Sequence, residues 1–227
     1  MSAADSSLPR GAAPAAERRE ERRRRLRREA LNIPNLLTYG RILAIPAVMF
    51  FMAFDSVRNA FVASMIFALA SVTDAIDGWV ARRFDQSSAL GKLLDPLADK
   101  LLVLGALLML LDLGRVEVWV VLVLLAREMM ITGLRSVAAA EGFVIAAREL
   151  GKTKTAFQMV GLWALIIHHP YPLEGMAEPL HFDRLGRVFL YISVVFSIVS
   201  AVDYFVGFAR ALAARGDDEG PDDRKSA

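Results

Sequence analysis

The stretch "TDAIDGWVARRFDQSSALGKLLDPLADK", Thr73 to Lys100, decides how the chain is read. It carries five aspartates, two arginines and two lysines, and long apolar runs bound it on both sides. Across 227 residues, 55% are hydrophobic and the mean hydropathy is +0.40. Apolar residues grouped in long runs at that density suit a bilayer better than a hydrated surface. The formal charge of +2 constrains little, because its distribution matters more than its sum. The absence of cysteine excludes disulfides, a thiol nucleophile and a zinc–thiolate site. No apolar segment with a cleavage site follows the first basic residues, so a secretory signal is not expected.

Outward from this stretch, the hydropathy predicts an all-α integral membrane protein with six transmembrane helices. They run roughly over Leu36–Phe54, Val57–Arg82, Leu90–Leu113, Val116–Ala140, Thr155–His168 and Gly186–Ala209. All are long enough, or nearly so, for a hydrocarbon core of about 30 Å at about 1.5 Å per residue, the fifth being the shortest. Connections are short except "HHPYPLEGMAEPLHFDR", whose prolines and mixed polarity predict a loop. Residues 32–210 are thus expected to form the membrane domain, between a basic leader (1–31) and a polar tail (211–227). Eight arginines lie between Arg18 and Arg28, offset by Glu17, Glu20, Glu21 and Glu29. They read as a solvated charge run that fixes topology. Docking on anionic headgroups is the sharper alternative, at roughly 1 kcal/mol per basic residue. With Arg82, Arg83, Lys92, Arg148, Lys152 and Lys154 on the leader's side, both termini are expected to be cytoplasmic. The acidic stretch then lies near the cytoplasmic face.

Asp74 and Asp77 are three residues apart and share a helix face with Gly78 and Ala81. Asp95 and Asp99 are four apart, with Gly91 one turn earlier. The turn "RRFDQSSAL" is expected to fold the second helix onto the third and bring the two carboxylate pairs face to face. Asp74 lies about 12 Å along the helix from Arg82, inside the membrane but near its edge. One charged side chain deep in a span costs on the order of 2.5–3.5 kcal/mol. Four together must line a hydrated cavity, be partly protonated, or bind cations. Hard oxygen ligands suit Mg²⁺ or Mn²⁺, and two such ions would balance four carboxylates. The bland alternative is capping aspartates and salt bridges at the membrane edge. Small residues on the acidic seam serve helix packing or the close approach of a flat ligand equally well.

The pattern Asp74-x2-Asp77-Gly78-x2-Ala81-Arg82-x8-Gly91-x3-Asp95-x3-Asp99 is similar, without gap or substitution, to the signature of the CDP-alcohol phosphotransferase family. That resemblance implies a six-helix membrane enzyme moving a substituted phosphate from a CDP-linked donor to an alcohol, with release of CMP. It implies that Asp74, Asp77 and Asp95 hold divalent metals, with Asp99 beside them as general base on the acceptor hydroxyl. Asp74, Gly78, Ala81, Arg82 and Gly91 would form the CDP-donor site. The chemistry is coherent: cations neutralise a pyrophosphate, and a carboxylate helps a weakly acidic alcohol attack.

The acceptor is read from other charges. Arg127 and Arg135, eight apart in "AREMMITGLRSVAAAEG", share a helix face, and Lys152 and Lys154 follow in "GKTKTAFQM". Converging cations suggest a phosphate, against topology signals and ion pairing with Glu128 as the plain alternative. With "NIPNLLTYGRILAIP" and "DPLADKLLV", these blocks resemble the bacterial phosphatidylglycerophosphate synthase branch of the family. That implies CDP-diacylglycerol as donor and glycerol 3-phosphate as acceptor, its phosphate on Arg127, Arg135, Lys152 and Lys154. The arginine-rich leader and proline-rich loop depart from that branch. A homodimer in the bacterial cytoplasmic (inner) membrane is expected, with no nucleic-acid partner. Inositol phosphate, serine or phosphatidylglycerol remain rival acceptors, and an intramembrane cation path is a distant rival. Asn35, Thr38 and Arg41 could reach the nucleotide or the metal site, but read first as a helix start with a snorkelling charge. His168, His169 and His181, two adjacent and one further along the loop, make a weak metal signal and read better as solvated loop residues. Trp79, Trp119 and Trp163 read as packing or interfacial anchors.

Overall fold

The computed structural model describes residues 33–84, 89–142, 149–172 and 179–218. Within these, side chains are described except at 33–35, 74–84, 89–93, 95–96, 149–150 and 214–218. The leader, residues 85–88 of the expected turn, Arg148 and the last residues of the tail lie outside the described residues.

Six long helices make up the described chain: α1 (Ile33–Met52), α2 (Val57–Phe84), α3 (Ala89–Asp112), α4 (Val118–Ala140), α5 (Glu149–Ile167) and α6 (Phe182–Asp218). Their order follows the hydropathy, but the ends do not. Helix α5 begins before Lys152, so both lysines of "GKTKT" are helical, and α6 runs on to Asp218 through residues assigned to the tail. The link before α6 carries a minimal antiparallel ladder, β1 (Pro170–Tyr171) on β2 (Leu180–His181).

Helix ends follow local chemistry. At the end of α3, Gly114 adopts φ +67, Arg115 N–H reaches Leu110 O at 2.8 Å and Gly114 N–H reaches Leu111 O at 3.0 Å. This paired closure uses carbonyls the helix leaves over, and only glycine takes that φ without cost. It also aims Arg115 at Asp55, 3.3 Å away in the α1–α2 connection.

All six helices feed one apolar core, with Val48, Phe67, Leu107, Leu124, Leu162 and Leu190 among its buried members. Helix α1 packs on both α2 and α3, whereas α2–α3 contacts are sparse among the described residues. Helices α5 and α6 approach most closely, at Gly161 and Gly186. A Cβ on Gly161 would stand 2.9 Å from Leu190 N, and one on Gly186 would stand 2.9 Å from Gly161 O. Small residues permit this backbone approach, and packing attraction then holds the pair.

The outer surface is apolar: Leu43, Leu69, Leu122 and Met129 are each at least 65% exposed. Among the described residues, only Phe182–Ala213 is long and apolar enough by itself to cross a membrane; Leu36–Met52 and Val57–Thr73 are shorter apolar stretches. Charges inside α3 and α4, such as Asp99, Lys100, Arg127 and Glu128, interrupt their apolar runs. Two polar expectations change. Arg41 is 3% exposed and Thr38 1%, so Arg41 is packed inside the bundle and does not snorkel. The His168 and His169 side chains are 17% and 20% exposed, and both lean on Asp55 in place of solvent. Trp119 stacks on Tyr191 and Trp163 meets Phe182 edge-on, as anchors do.

Candidate functional site

A cavity of about 480 Å³ opens between α3, α4 and α5. Helix α3 lends it Asp99, Lys100, Val103, Leu104 and Leu107, which is one helical face. Helix α4, running the other way, contributes Thr132, Met129, Glu128, Leu125 and Leu124, and α5 contributes Lys154, Thr155, Gln158 and Met159. Followed inward on α3 and α4, the wall turns from charged to aliphatic. The cavity is polar at the Asp99 end and oily towards mid-bundle.

The charges at the polar end are organised by Glu128. Its Oε1 accepts from Lys154 Nζ in a short ion pair and from Arg127 Nη1 at 2.9 Å. Arg127 Nη2 donates to Ser200 Oγ on α6 at 2.9 Å, while its Nε is buried and makes no hydrogen bond. Lys100 Nζ donates to Thr132 Oγ1 at 2.9 Å, tying α3 to α4. Lys154 is 2% exposed and feels the charge of Asp99 as well as that of Glu128. A buried ammonium needs such partners, because one carboxylate removed would leave its charge uncompensated in a low dielectric. Among the described residues, the carboxylates of Asp99 and Glu128 thus lie by the cations of Lys100, Arg127 and Lys154.

The sequence-predicted residues are distributed as follows. Asp99 and Lys154 face one cavity, and Arg127 reaches its wall through Glu128. Arg135 lies elsewhere on α4, its guanidinium 5.7 Å from the centre of the Tyr204 ring, and Lys152 is exposed. Asp74, Asp77, Gly78, Ala81 and Arg82 lie in α2, and Gly91 and Asp95 in α3; their side chains lie outside the described ones. Glu128 and Gln158 are cavity residues that the sequence reading gave no role in the site. Gln158 could have been found, because it falls one turn after Lys154 inside an apolar helix. Glu128 was visible only as a possible partner for arginine, and its place between two cations needs the α4–α5 contact.

Comparison with known proteins agrees with this picture. Residues 31–199 match the family model described as CDP-alcohol phosphatidyltransferase. The chain is 39% identical over 186 residues to the CDP-diacylglycerol–glycerol-3-phosphate 3-phosphatidyltransferase of Bacillus subtilis (strain 168), covering 77% of this chain and 93% of that one. Enzymes of the same name from Rickettsia bellii and Haemophilus influenzae are 36% and 32% identical, over 77% and 76% of this chain and 93% and 91% of theirs.

Proposed function

Because the chain belongs to the CDP-alcohol phosphatidyltransferase family, we propose that it transfers the phosphatidyl group of CDP-diacylglycerol to sn-glycerol 3-phosphate. The products are phosphatidylglycerophosphate and CMP. The observation that carries this reading is the graded cavity, with Asp99 and the Lys154–Glu128–Arg127 cluster at one end and aliphatic wall at the other. A lipid nucleotide has the same gradient.

The donor enters sideways from the bilayer, its acyl chains along the Leu104, Leu107 and Leu124 wall and its nucleotide at the polar end. The acceptor's phosphate meets Lys154 and Arg127, taking hydrogen bonds that Glu128 holds in its absence. Arg135 and Lys152, which lie outside the cavity lining, are assigned to the same phosphate on sequence spacing and family resemblance alone. Asp99 takes the proton of the acceptor's primary hydroxyl as that oxygen attacks the β-phosphorus. The new P–O bond forms while the bond to the CMP oxygen breaks, and CMP leaves to the aqueous side.

Asp74 and Asp77 stand three apart in α2, and Asp95 and Asp99 four apart in α3; by residue type these are oxygen ligands only, the kind that fits hard divalent cations. Bound there, two Mg²⁺ or Mn²⁺ ions would neutralise the pyrophosphate oxygens and the leaving phosphate. Gly78, Ala81, Arg82 and Gly91 complete the CDP-donor site on the motif's spacing. The apolar exterior supports a multi-pass membrane location, and the Lys/Arg distribution supports cytoplasmic termini in the bacterial inner membrane. The exposed apolar face of α6, with Val195, Val202 and Phe205, suits lipid or the second copy of a homodimer.

The test is CMP release by the purified protein in detergent with CDP-diacylglycerol. Glycerol 3-phosphate, serine, inositol 1-phosphate and phosphatidylglycerol are offered separately, with Mg²⁺, with Mn²⁺ or with chelator. Release with glycerol 3-phosphate and a divalent ion alone supports the assignment. Faster release with another acceptor reassigns the substrate within the family.

A further inference from the structure

At the end of the bundle opposite Asp99, the α1–α2 connection meets the end of α5. Asp55, His168 and His169 each offer one ligand atom, and the three atoms lie within 4.8 Å of one another. His168 Nε2 is 3.2 Å and His169 Nε2 3.6 Å from the same oxygen, Asp55 Oδ1. We propose that these three residues form a binding site for a borderline divalent cation of the Zn²⁺ class, separate from the carboxylate site of the transfer reaction.

Four observations support the assignment. First, the spacing fits: ligands about 2.0–2.1 Å from a tetrahedral ion stand about 3.4 Å apart. Second, His168 Nδ1 lies 3.2 Å from Ile166 O, and a carbonyl only accepts, so that nitrogen carries the hydrogen. With Nδ1 committed to that carbonyl, Nε2 is the nitrogen left to face the Asp55 oxygen, 3.2 Å away, where it either donates a hydrogen to the carboxylate or shares a cation with it. A backbone carbonyl on the far nitrogen is also the usual orienting partner of a metal-bound histidine. Third, His169 Nε2 is buried and has no hydrogen-bond partner. Fourth, His168 takes φ +25, a conformation uncommon outside glycine. Consecutive side chains in an extended chain point apart, but here the two rings lie 3.9 Å apart, centre to centre, and converge on one carboxylate. A strained backbone that aims two imidazoles together is a mark of a site.

The ligand set selects the ion. Two imidazole nitrogens and one carboxylate favour Zn²⁺, Co²⁺ or Ni²⁺ over Mg²⁺, leaving a fourth position for water. Arg115 Nη2, 3.3 Å from Asp55 Oδ1, opposes a cation there directly. The Asp55 side chain is 72% exposed and free to turn, so its second oxygen can hold Arg115 while the first takes the ion. The ion would clip the α1–α2 connection to the end of α5.

The experiment uses the full chain in detergent with millimolar Mg²⁺ present throughout, so that the hard-oxygen site is saturated. Co²⁺ is titrated and its visible ligand-field absorption followed, then Zn²⁺ is added in competition. One equivalent with tetrahedral-type absorption, displaced by Zn²⁺, is expected. The pair His168→Gln with His169→Gln should abolish it, Asp55→Asn should weaken it at least tenfold, and His181→Gln should leave it unchanged. Zn²⁺ should raise the Tm of the parent protein and not that of the double variant. CMP release in Mg²⁺ reports whether each variant folds; should the double variant fail, Asp55→Asn at its exposed position carries the test. Equal Co²⁺ binding in parent and folded variants overturns the proposal. So does an absence of binding at 1:1 stoichiometry, which would leave a protonated His168–Asp55 ion pair.

Discussion

The two ends of the bundle use the same kinds of side chain in opposite settings. At one, Lys154 is 2% exposed and shares Glu128 with Arg127 inside a partly apolar cavity. At the other, Arg115, itself only 15% exposed, reaches across a connection between helices to Asp55, which is 72% exposed and leaves the pair open to water on one side. A charge pair in a low dielectric is strong, and removing one partner leaves the other uncompensated; an exposed pair is screened and worth little. The contrast teaches that ion pairs alone do not locate function here. Burial, together with an oily wall for a lipid substrate, marks the end assigned to the transfer reaction.

Four substitutions bear on this contrast, in falling order of effect. Asp99→Asn should lower kcat by about 10²–10⁴-fold, the usual contribution of a general base, while nucleotide binding measured by equilibrium titration persists. Near-normal turnover would remove Asp99 from the base role. Lys154→Met should raise the KM for glycerol 3-phosphate by about 10–100-fold, since a charge-assisted hydrogen bond contributes about 1.5–3 kcal/mol. An unchanged KM would mean that the acceptor phosphate lies elsewhere. Gly161→Ala should weaken both ends together, because α5 carries Lys154 at one end and leads into His168 at the other. With backbone atoms 2.9 Å from the added carbon, the cost should be about 1–3 kcal/mol, read as a lower Tm in detergent. Arg115→Gln should cost about 1 kcal/mol or less and leave CMP release intact, and a large loss of activity would erase the distinction between the ends.

Much of this was legible in the chain. Hydropathy placed six helices in the right order, because apolar runs of that length have few other folds available. The acidic motif and its fixed spacing pointed to the family that the comparisons establish. What stayed hidden depends on contacts between helices. Arg41 lies near the start of an apolar run, where a charge usually reaches back to water, yet in the fold it is 3% exposed. The two histidines looked like loop residues because nothing local reveals Asp55, which lies more than a hundred positions earlier. Glu128, adjacent to Arg127 in sequence, gains Lys154 only through the α4–α5 contact. The glycines at 161 and 186 are unremarkable singly; their meaning lies in facing each other.

The most direct measurement follows both products at once, with labelled glycerol 3-phosphate, CDP-diacylglycerol and Mg²⁺, for the parent protein and for Asp99→Asn. The account predicts one lipid-soluble label per CMP released by the parent, and loss of both signals together in the variant. CMP release without label entering lipid, or a variant that matches its parent, would contradict it.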